Sequence, residues 1–452
     1  MVNHLPNGWI VTTLGEVASY QNGRAFKPSE WRPNGIPIIR IQNLNNNAAS
    51  FNYSDSPHED KFAVRNGDLL FAWSASLGAH IWRGETAWLN QHIFRVDHGP
   101  EVNRLFLYYA LKNTIAELYT KAHGSGMVHV TKRVFLSTPF WLPPLAEQHR
   151  IVAKIDVLFK EIDKGAASLR SAKKLVQLYR QSLLKSAFEG RLTAKWRQEN
   201  ADKLESPVAL LASIHEERER QYQVSVKDRE KAIAEWNKDK KCRKPVKPKS
   251  SRDTPSALGS IDKSGWATCR IGEVLLPVQK TGKHEKNRLI WYVDIASIDN
   301  QDNQIRSPKR MNLVDAPSRA RQKIRTGDVL FSTVRPYLRN IAQVEHSLNG
   351  EIASTGFAVL RGAKGINPKY LFYKSISYDF VSALTGEQYG VSYPAIKEEQ
   401  VRDQTIELPS TEEQAEIVQI LDVNFQVAAE LSGAIDSALA KAVILRQSIL
   451  KR

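Results

Sequence analysis

Residues 142–159 read LPPLAEQHRIVAKIDVLF and residues 408–425 read LPSTEEQAEIVQILDVNF, matching at 9 of 18 positions without a gap. A chain that writes one segment twice is constrained to build the same local structure twice. The repeat is longer than this segment. Gly8-Trp9 followed by Leu14-Gly15-Glu16-Val17 returns as Gly265-Trp266 followed by Ile271-Gly272-Glu273-Val274, at an offset of 257. Gly67-Asp68-Leu69-Leu70-Phe71 returns as Gly327-Asp328-Val329-Leu330-Phe331 at 260, and NRLFLYY from Asn103 returns as NPKYLFY from Asn367 at 264. The offset is 266 from Leu142 onward and still holds where RQSLLK (180–185) meets RQSILK (446–451). An offset that grows by small steps is that of a duplication with loop insertions. The period is far too long for a solenoid.

Each copy reads as a β-rich globular part followed by a helix. Short β-branched or aromatic runs bounded by Gly, Asn or Pro predict strands at 37–41, 68–73, 290–295 and 328–333. Gly-Asp ahead of Leu-Leu-Phe and Val-Leu-Phe predicts a turn feeding a buried strand. Helices are predicted over 104–121 and 368–384.

The repeated helices carry heptads. Alternating steps of four and three from Ile151 run through Ile155, Leu158, Ile162, Gly165, Leu169, Ala172, Val176 and Tyr179 to Leu183. The second copy gives Ile417, Leu421, Asn424, Ala428, Leu431, Ile435, Ala438, Ala442, Leu445 and Ile449. Such seams predict coiled-coil pairing, antiparallel if a two-fold axis relates the halves. Small residues such as Gly165 predict close approach. A helix over 143–189 would span about 70 Å, about two turns of B-DNA.

The chain of 452 residues has 64 Lys plus Arg against 48 Asp plus Glu, a net charge of +16. That surplus points to a polyanionic partner such as nucleic acid. Cys242 and Cys269 form no CxxC pair, which predicts a reducing compartment and no zinc site. MVNHLPNGWIVTTLGEV lacks an apolar run behind basic residues and does not read as a signal peptide. No apolar stretch is long enough to span a membrane as a helix. Between the copies, residues 204–241 read as a charged, exposed helix. The following basic, Pro- and Ser-rich stretch reads as a linker, with eight basic residues and one acidic residue over 238–252. No phosphate-binding GxxxxGK[ST] loop, GxGxxG turn, methyltransferase [DN]PP[YFW] motif or metal-spaced histidine pair is present.

A basic chain of two β-rich parts, each followed by a heptad helix that opens LPP-x-x-EQ-x-x-IV, resembles the DNA-specificity (S) subunits of type I restriction-modification enzymes. The resemblance covers essentially the whole chain. It rests on Leu142-Pro143-Pro144, Glu147-Gln148 and Ile151-Val152 with Leu408-Pro409, Glu413-Gln414 and Ile417-Val418, on the two Gly-Asp strands, and on Gly-Ser-Gly-Met at 124–127. It implies an α+β fold of two duplicated target recognition domains, with long helices paired as an antiparallel coiled coil of pseudo-two-fold symmetry. The domains are expected at 1–142 and 263–407, the spacer helices at 143–200 and 408–452, and the charged helix and linker at 201–262. Each domain would read one half of a bipartite double-stranded DNA target, and the helices would set the spacing. The chain would have no catalysis, metal or cofactor of its own. Two methylation (M) subunits using S-adenosylmethionine and two restriction (R) subunits using ATP and magnesium would dock on it, in the cytoplasm of a bacterium or archaeon. The second copy reaches Arg452 where the first continues with SAFEGRL (186–192), a departure that bears on contact between that end and the methylation subunits.

Base readout calls for Arg, Lys, Asn or Gln, and phosphate contacts for Lys, Arg, Ser or Thr. Three loops at equivalent places in both copies supply them. In the first copy they hold Asn22, Arg24, Phe26, Lys27, Trp31, Arg32, Arg40 and Asn43, then Ser74, Ser76 and His80, then Ser125 and His129. In the second they hold Lys280, Lys283, His284 and Lys286, then Arg335, Tyr337 and Arg339, then Gln388, Tyr389, Ser392 and Tyr393. Two other classes compete with a specificity subunit: a coiled-coil scaffold with incidental charge, and a DNA-binding protein with an unrecognised catalytic site.

Overall fold

The computed structural model describes residues 6–46, 48–120, 129–239, 244–245, 247, 260–281, 288–385 and 395–451. The chain forms two compact units, Met1–Ala172 with Ala434–Arg452, and Lys173–Gly433.

In the first unit, Ile10–Thr13 pairs antiparallel with Pro139–Leu142 at the foot of the first long helix. One four-stranded sheet runs in the order Ala18–Asn22, Ile93–His98, Leu69–Ala72, Gly78–Ile81. A second runs Asn52–Ser54, Ile36–Ile39, Ala87–Leu89, Ala63–Val64. Leu69–Ala72 is buried throughout, fed by the expected turn: Gly67 has φ +96° and the Asp68 carboxylate accepts from the Arg65 amide at 2.7 Å. The predicted strand at 37–41 ends sooner, because Ile41–Asn45 is a helix.

The second unit repeats the plan. Ala267–Arg270 lies between Ser260–Ile261 and Thr405–Leu408. Val329–Ser332 is buried after Gly327 at φ +87°, and the Asp328 carboxylate accepts from the Arg325 amide at 2.8 Å. The helix predicted over 368–384 is two, Pro368–Ser375 and Tyr378–Thr385, and the Ser377 hydroxyl starts the second by accepting from the Phe380 amide.

The doubled Glu-Gln pair works where sheet meets helix. Gln148 is fully buried; its Oε1 accepts from the Asn103 amide at 2.7 Å, and its Nε2 donates to the Glu101 and Pro143 carbonyls, both at 2.9 Å. Gln414 repeats this with the Asn367 amide at 2.8 Å and the Gly365 and Pro409 carbonyls, both at 3.1 Å. One side chain thus ties the helix start to the Asn103 or Asn367 turn and satisfies three backbone groups, of which the Pro143 or Pro409 carbonyl is buried. Glu147 accepts from the Trp9 indole at 3.2 Å and Glu413 from the Trp266 indole at 2.9 Å. About two turns further, Tyr109 donates to Asp156 at 2.5 Å and Tyr373 to Asp422 at 2.6 Å.

The long helices run Leu145–Phe188 and Thr411–Lys451. In the first unit the Arg446 guanidinium lies 4.3 Å from the Phe159 ring centre and donates to Asp163 at 2.5 Å. In the second, Arg180 lies 4.5 Å from the Phe425 ring centre, and Tyr179 donates to Asn424 at 2.7 Å. The start of each helix meets the end of the other, so the pairing is antiparallel. The seam corrects one heptad series by a single residue. Ile155, Val176, Ile417, Leu421, Ala428 and Ile435 are buried as expected, but Phe159 and Ala166 face inward in place of Leu158 and Gly165. Leu431 and Leu445 are half-exposed, and a Cβ on Gly165 would meet nothing within 4 Å, so Gly165 serves no close approach. Apolar or small residues occupy both candidate series, so periodicity alone does not separate them.

The connector helix, Pro207–Asp239, is not wholly exposed: Leu210, Leu211 and Ile214 enter the core of the second unit. Among the described residues, no helix is long and apolar enough to cross a membrane.

Candidate nucleic-acid interface

The first loop leaves the strand Ala18–Asn22 through Gly23, where a Cβ would lie 2.1 Å from the Asn90 carbonyl oxygen. Glycine alone permits that approach, and it presses the next residue, Arg24, onto Asn90. Arg24 pairs with Glu30 at 2.5 Å and lies over the Phe26 ring, 4.8 Å from its centre. Its Nη1 has no partner among the described residues. The Lys27 amide and Arg24 hold the Glu30 carboxyl below its ordinary range. Phe26 is buried with Trp88, and Trp31 packs on the same cluster beneath the Arg40 guanidinium, 5.2 Å away. Lys27 is exposed, and so is Arg32, which sits 3.4 Å from Asp55.

The second and third loops meet at one place in both units. Ser74 forms an antiparallel bridge with His129, and Val334 forms one with Ala395. The Val130 amide donates to the Trp73 carbonyl at 3.1 Å, as the Ile396 amide does to Thr333 at 2.9 Å. The Trp73 indole donates to Asn22 Oδ1 at 3.1 Å, which brings the first loop to the same place in the first unit.

Several predicted residues lie beneath this surface. Asn43 is buried; its Oδ1 accepts from the Arg40 amide and its Nδ2 donates to the Ala49 and Ser50 carbonyls. Ser74 and Phe26 are buried too, while Ser76 is half-buried beyond Ala75, whose φ is +58°. His80 is on the strand Gly78–Ile81 and lines a cleft of about 880 Å³ with Tyr108, Tyr109 and Asp156. Burial, helped by Lys112, pushes its imidazole down to about 4.

In the second unit, Arg335 (φ +49°) and Arg339 (φ +56°) flank the turn Pro336–Leu338, which carries Tyr337 half-exposed at its tip. Asn300 Nδ2 secures the turn by donating to the Leu338 carbonyl at 2.8 Å. Arg339 donates to the Ile376 carbonyl and, at 3.3 Å, to Gln181; burial, and then Arg180, lower its pKa. It clamps the loop. Lys280 is exposed beside Gln322. Lys283, His284, Lys286, Ser125, Gln388, Tyr389, Ser392 and Tyr393 lie outside the described residues.

Sequence reasoning missed an exposed basic-aromatic pair, Arg310 over Trp291 at 5.7 Å, on the paired strands Leu289–Val293 and Lys309–Asn312. Its signal was a Lys-Arg pair on a strand, a poor β-former held there by the sheet. Among the described residues no three His, Cys, Asp or Glu side chains converge as metal ligands.

The family model described as the type I restriction modification DNA specificity domain matches residues 6–168 and 263–439. The chain belongs to that family. It is 26% identical over 451 residues to the Type I restriction enzyme EcoBI specificity subunit of Escherichia coli, covering 99% of this chain and 85% of that protein. It is 31% identical to the StySPI specificity subunit of Salmonella potsdam, over 48% of this chain and 51% of the relative. Its fold is also that of a chain solved in work on complex assembly and conformational transition of the type I R-M system. That match has a TM-score of 0.60 at 21% identity and covers 99% of this chain and 98% of the other.

Proposed function

We propose that this chain is the subunit that reads DNA sequence for a type I restriction-modification complex and positions its other subunits. The observation that carries the reading is the doubled recognition domain: two units of one plan, with loops that meet at equivalent β-bridges and carry different side chains. Each unit is assigned one half of a bipartite target in double-stranded DNA. On this reading the recognition domains occupy 1–142 and 263–407, the spacer helices 143–200 and 408–452, and the connector 201–262. Arg24, Lys27, Arg32 and Trp31 in the first unit, and Lys280, Arg335 and Tyr337 in the second, are the foremost candidates for DNA contact. Asn43, Ser74, Phe26 and Arg339 hold the loops from beneath.

The chain supplies no catalysis. Two methylation subunits would bring S-adenosylmethionine, and two restriction subunits ATP and magnesium, to DNA in the cytoplasm. Paired docking is supported by half-exposed apolar residues at matching positions of the helices. The first unit shows Val157, Ile444 and Leu445; the second shows Val423, Leu178 and Tyr179. Such stripes mark protein contacts.

Replacing residues 1–142 with the recognition domain of another family member, in the presence of methylation subunits, tests the reading. Mapping methylated adenines should show one half-site changed and the other kept; an unchanged target overturns it. Methylation or cleavage by the purified chain alone would overturn the non-catalytic assignment.

A further inference from the structure

In the first unit the strands Ala87–Leu89 and Ile93–His98 are joined by Asn90, Gln91 and His92. Sheet register fixes where this turn sits. Asn22, the last residue of its strand, lies opposite Phe94, and Ala72, the last of its own, lies opposite Ile93. The turn therefore emerges at the same end of the sheet as the first loop, which begins at Gly23, and the second, which begins at Trp73. Both loops grip it. The Arg24 amide donates to the Leu89 carbonyl at 2.9 Å, and the Gln91 amide donates to the Arg24 carbonyl at 2.8 Å. The Trp73 amide donates to the His92 carbonyl at 3.1 Å, and the two rings meet edge to face with their centres 4.9 Å apart.

Two features set this turn apart from an ordinary connection. His92 takes φ +71°, a left-handed backbone that favours glycine. An outlier of this kind, held in place by its surroundings, marks a position kept for function rather than for ease of folding. In addition, His92 Nδ1 and Asn90 Oδ1 are buried without a hydrogen-bond partner among the described residues. The second unit has a counterpart in Thr355–Gly356, where the Thr333 amide donates to the Gly356 carbonyl at 2.9 Å as the Trp73 amide does to His92. That turn closes on itself. The Gly356 amide donates to Ser354 Oγ at 3.1 Å, Thr333 Oγ1 donates to the Gly356 carbonyl at 2.9 Å, and Gly356 is not left-handed. The shared plan of the two units therefore does not demand the strain at His92.

Gln91 is what the turn displays. Its side chain is exposed and makes no hydrogen bond among the described residues. A primary amide offers a donor and an acceptor side by side, the pair that adenine N7 and N6 match in the major groove. A side chain carried on a pinned backbone loses little further freedom on making that contact. We propose that Gln91 is a base-reading residue of the first recognition domain, with adenine as its match, and that His92 is the positioning residue that aims it. The inference rests on the DNA-reading role given above and adds to it a fourth segment, beside the three loops.

Methylation of a DNA library with randomised half-sites, by the chain assembled with its methylation subunits, tests it. Gln91→Ala should weaken binding to the preferred target by about tenfold, the scale of one bidentate amide–adenine pair, and should relax the preference at a single A·T position of one half-site. The other half-site should be unchanged. Gln91 is exposed, so the variant should fold as the parent does. Glycine takes φ +71° freely, so His92→Gly should leave the thermal midpoint near that of the parent while blurring the same base position. His92→Asn, which tolerates that backbone and is stiffer than glycine, should keep most of the preference. Unchanged preference in Gln91→Ala, or an equal loss on every sequence, would overturn the base-reading role. Lower stability with intact preference in His92→Gly would overturn the positioning role. The exchange of residues 1–142 separates this from the wider reading: if the exchange alters a half-site and Gln91→Ala does not, only the present proposal falls.

Discussion

At the residue scale, the buried glutamines carry the most structural weight. Gln148→Ala strips partners from one amide and two carbonyls, and Gln414→Ala does the same in the second unit. Each should cost about 2–3 kcal/mol, given the penalty for unpaired buried polar groups, and urea denaturation should show a lower midpoint. The Glu-Gln pair was legible as a repeat, but its task was not. A hydrogen bond between Gln148 and a turn 45 residues upstream leaves no trace in local periodicity. His80 makes a second prediction. Its folded pKa, about 4, is depressed below the ordinary 6.5, so the unfolded chain binds its proton first on acidification. Its contribution to stability is present above pH 6.5 and is lost as pH falls toward 4. Thermal melts across that window should show falling stability, and His80→Gln should flatten the slope. Arg24 makes a third: Arg24→Ala should weaken DNA binding of the assembled complex by about 1–3 kcal/mol if it reads a base, with relaxed preference at one position of one half-site. An equal loss across all sequences would reduce it to a phosphate contact.

At the element scale, the first long helix, read over 143–189, runs Leu145–Phe188, because forty-odd residues of sustained periodicity leave little choice, but the spacer expected to reach 200 ends there, with Ala194–Glu199 a separate helix, and the second begins at Thr411 rather than 408. Their facing was half read. Ile155 and Val176 were in the right series; Leu158 and Gly165 gave way to Phe159 and Ala166. Neighbouring apolar residues are about 100° apart on a helix, and only the partner decides which one turns inward. The element prediction concerns length. Four residues inserted beside Gly165 shift the seam by a non-heptad step. The recognised distance between half-sites should change, as methylation mapping would show; an unchanged distance removes the spacer role from the helices. On the outer faces, Leu178→Asp with Val423→Asp should weaken methylation-subunit binding in pull-downs while shifting chain stability by about 0.5 kcal/mol or less, since neither residue is buried.

At the scale of the whole molecule, the net charge of +16 implies DNA affinity that falls steeply with salt. A plot of log affinity against log salt should slope by about −0.9 for each phosphate neutralised, and charge-removing changes at phosphate-contacting lysines should each reduce the slope by about one. The duplication, the β-rich parts, the helices and the family resemblance were all decided by sequence. A motif written twice carries its own control, and chain-local patterns survive without knowledge of what packs on them. Tertiary structure alone decided which series of each heptad faces its partner, that Asn43 and Arg339 brace loops, and that two separate loops meet at a β-bridge in each unit. Those outcomes depend on pairs of residues far apart in the chain, and only folding brings such pairs together.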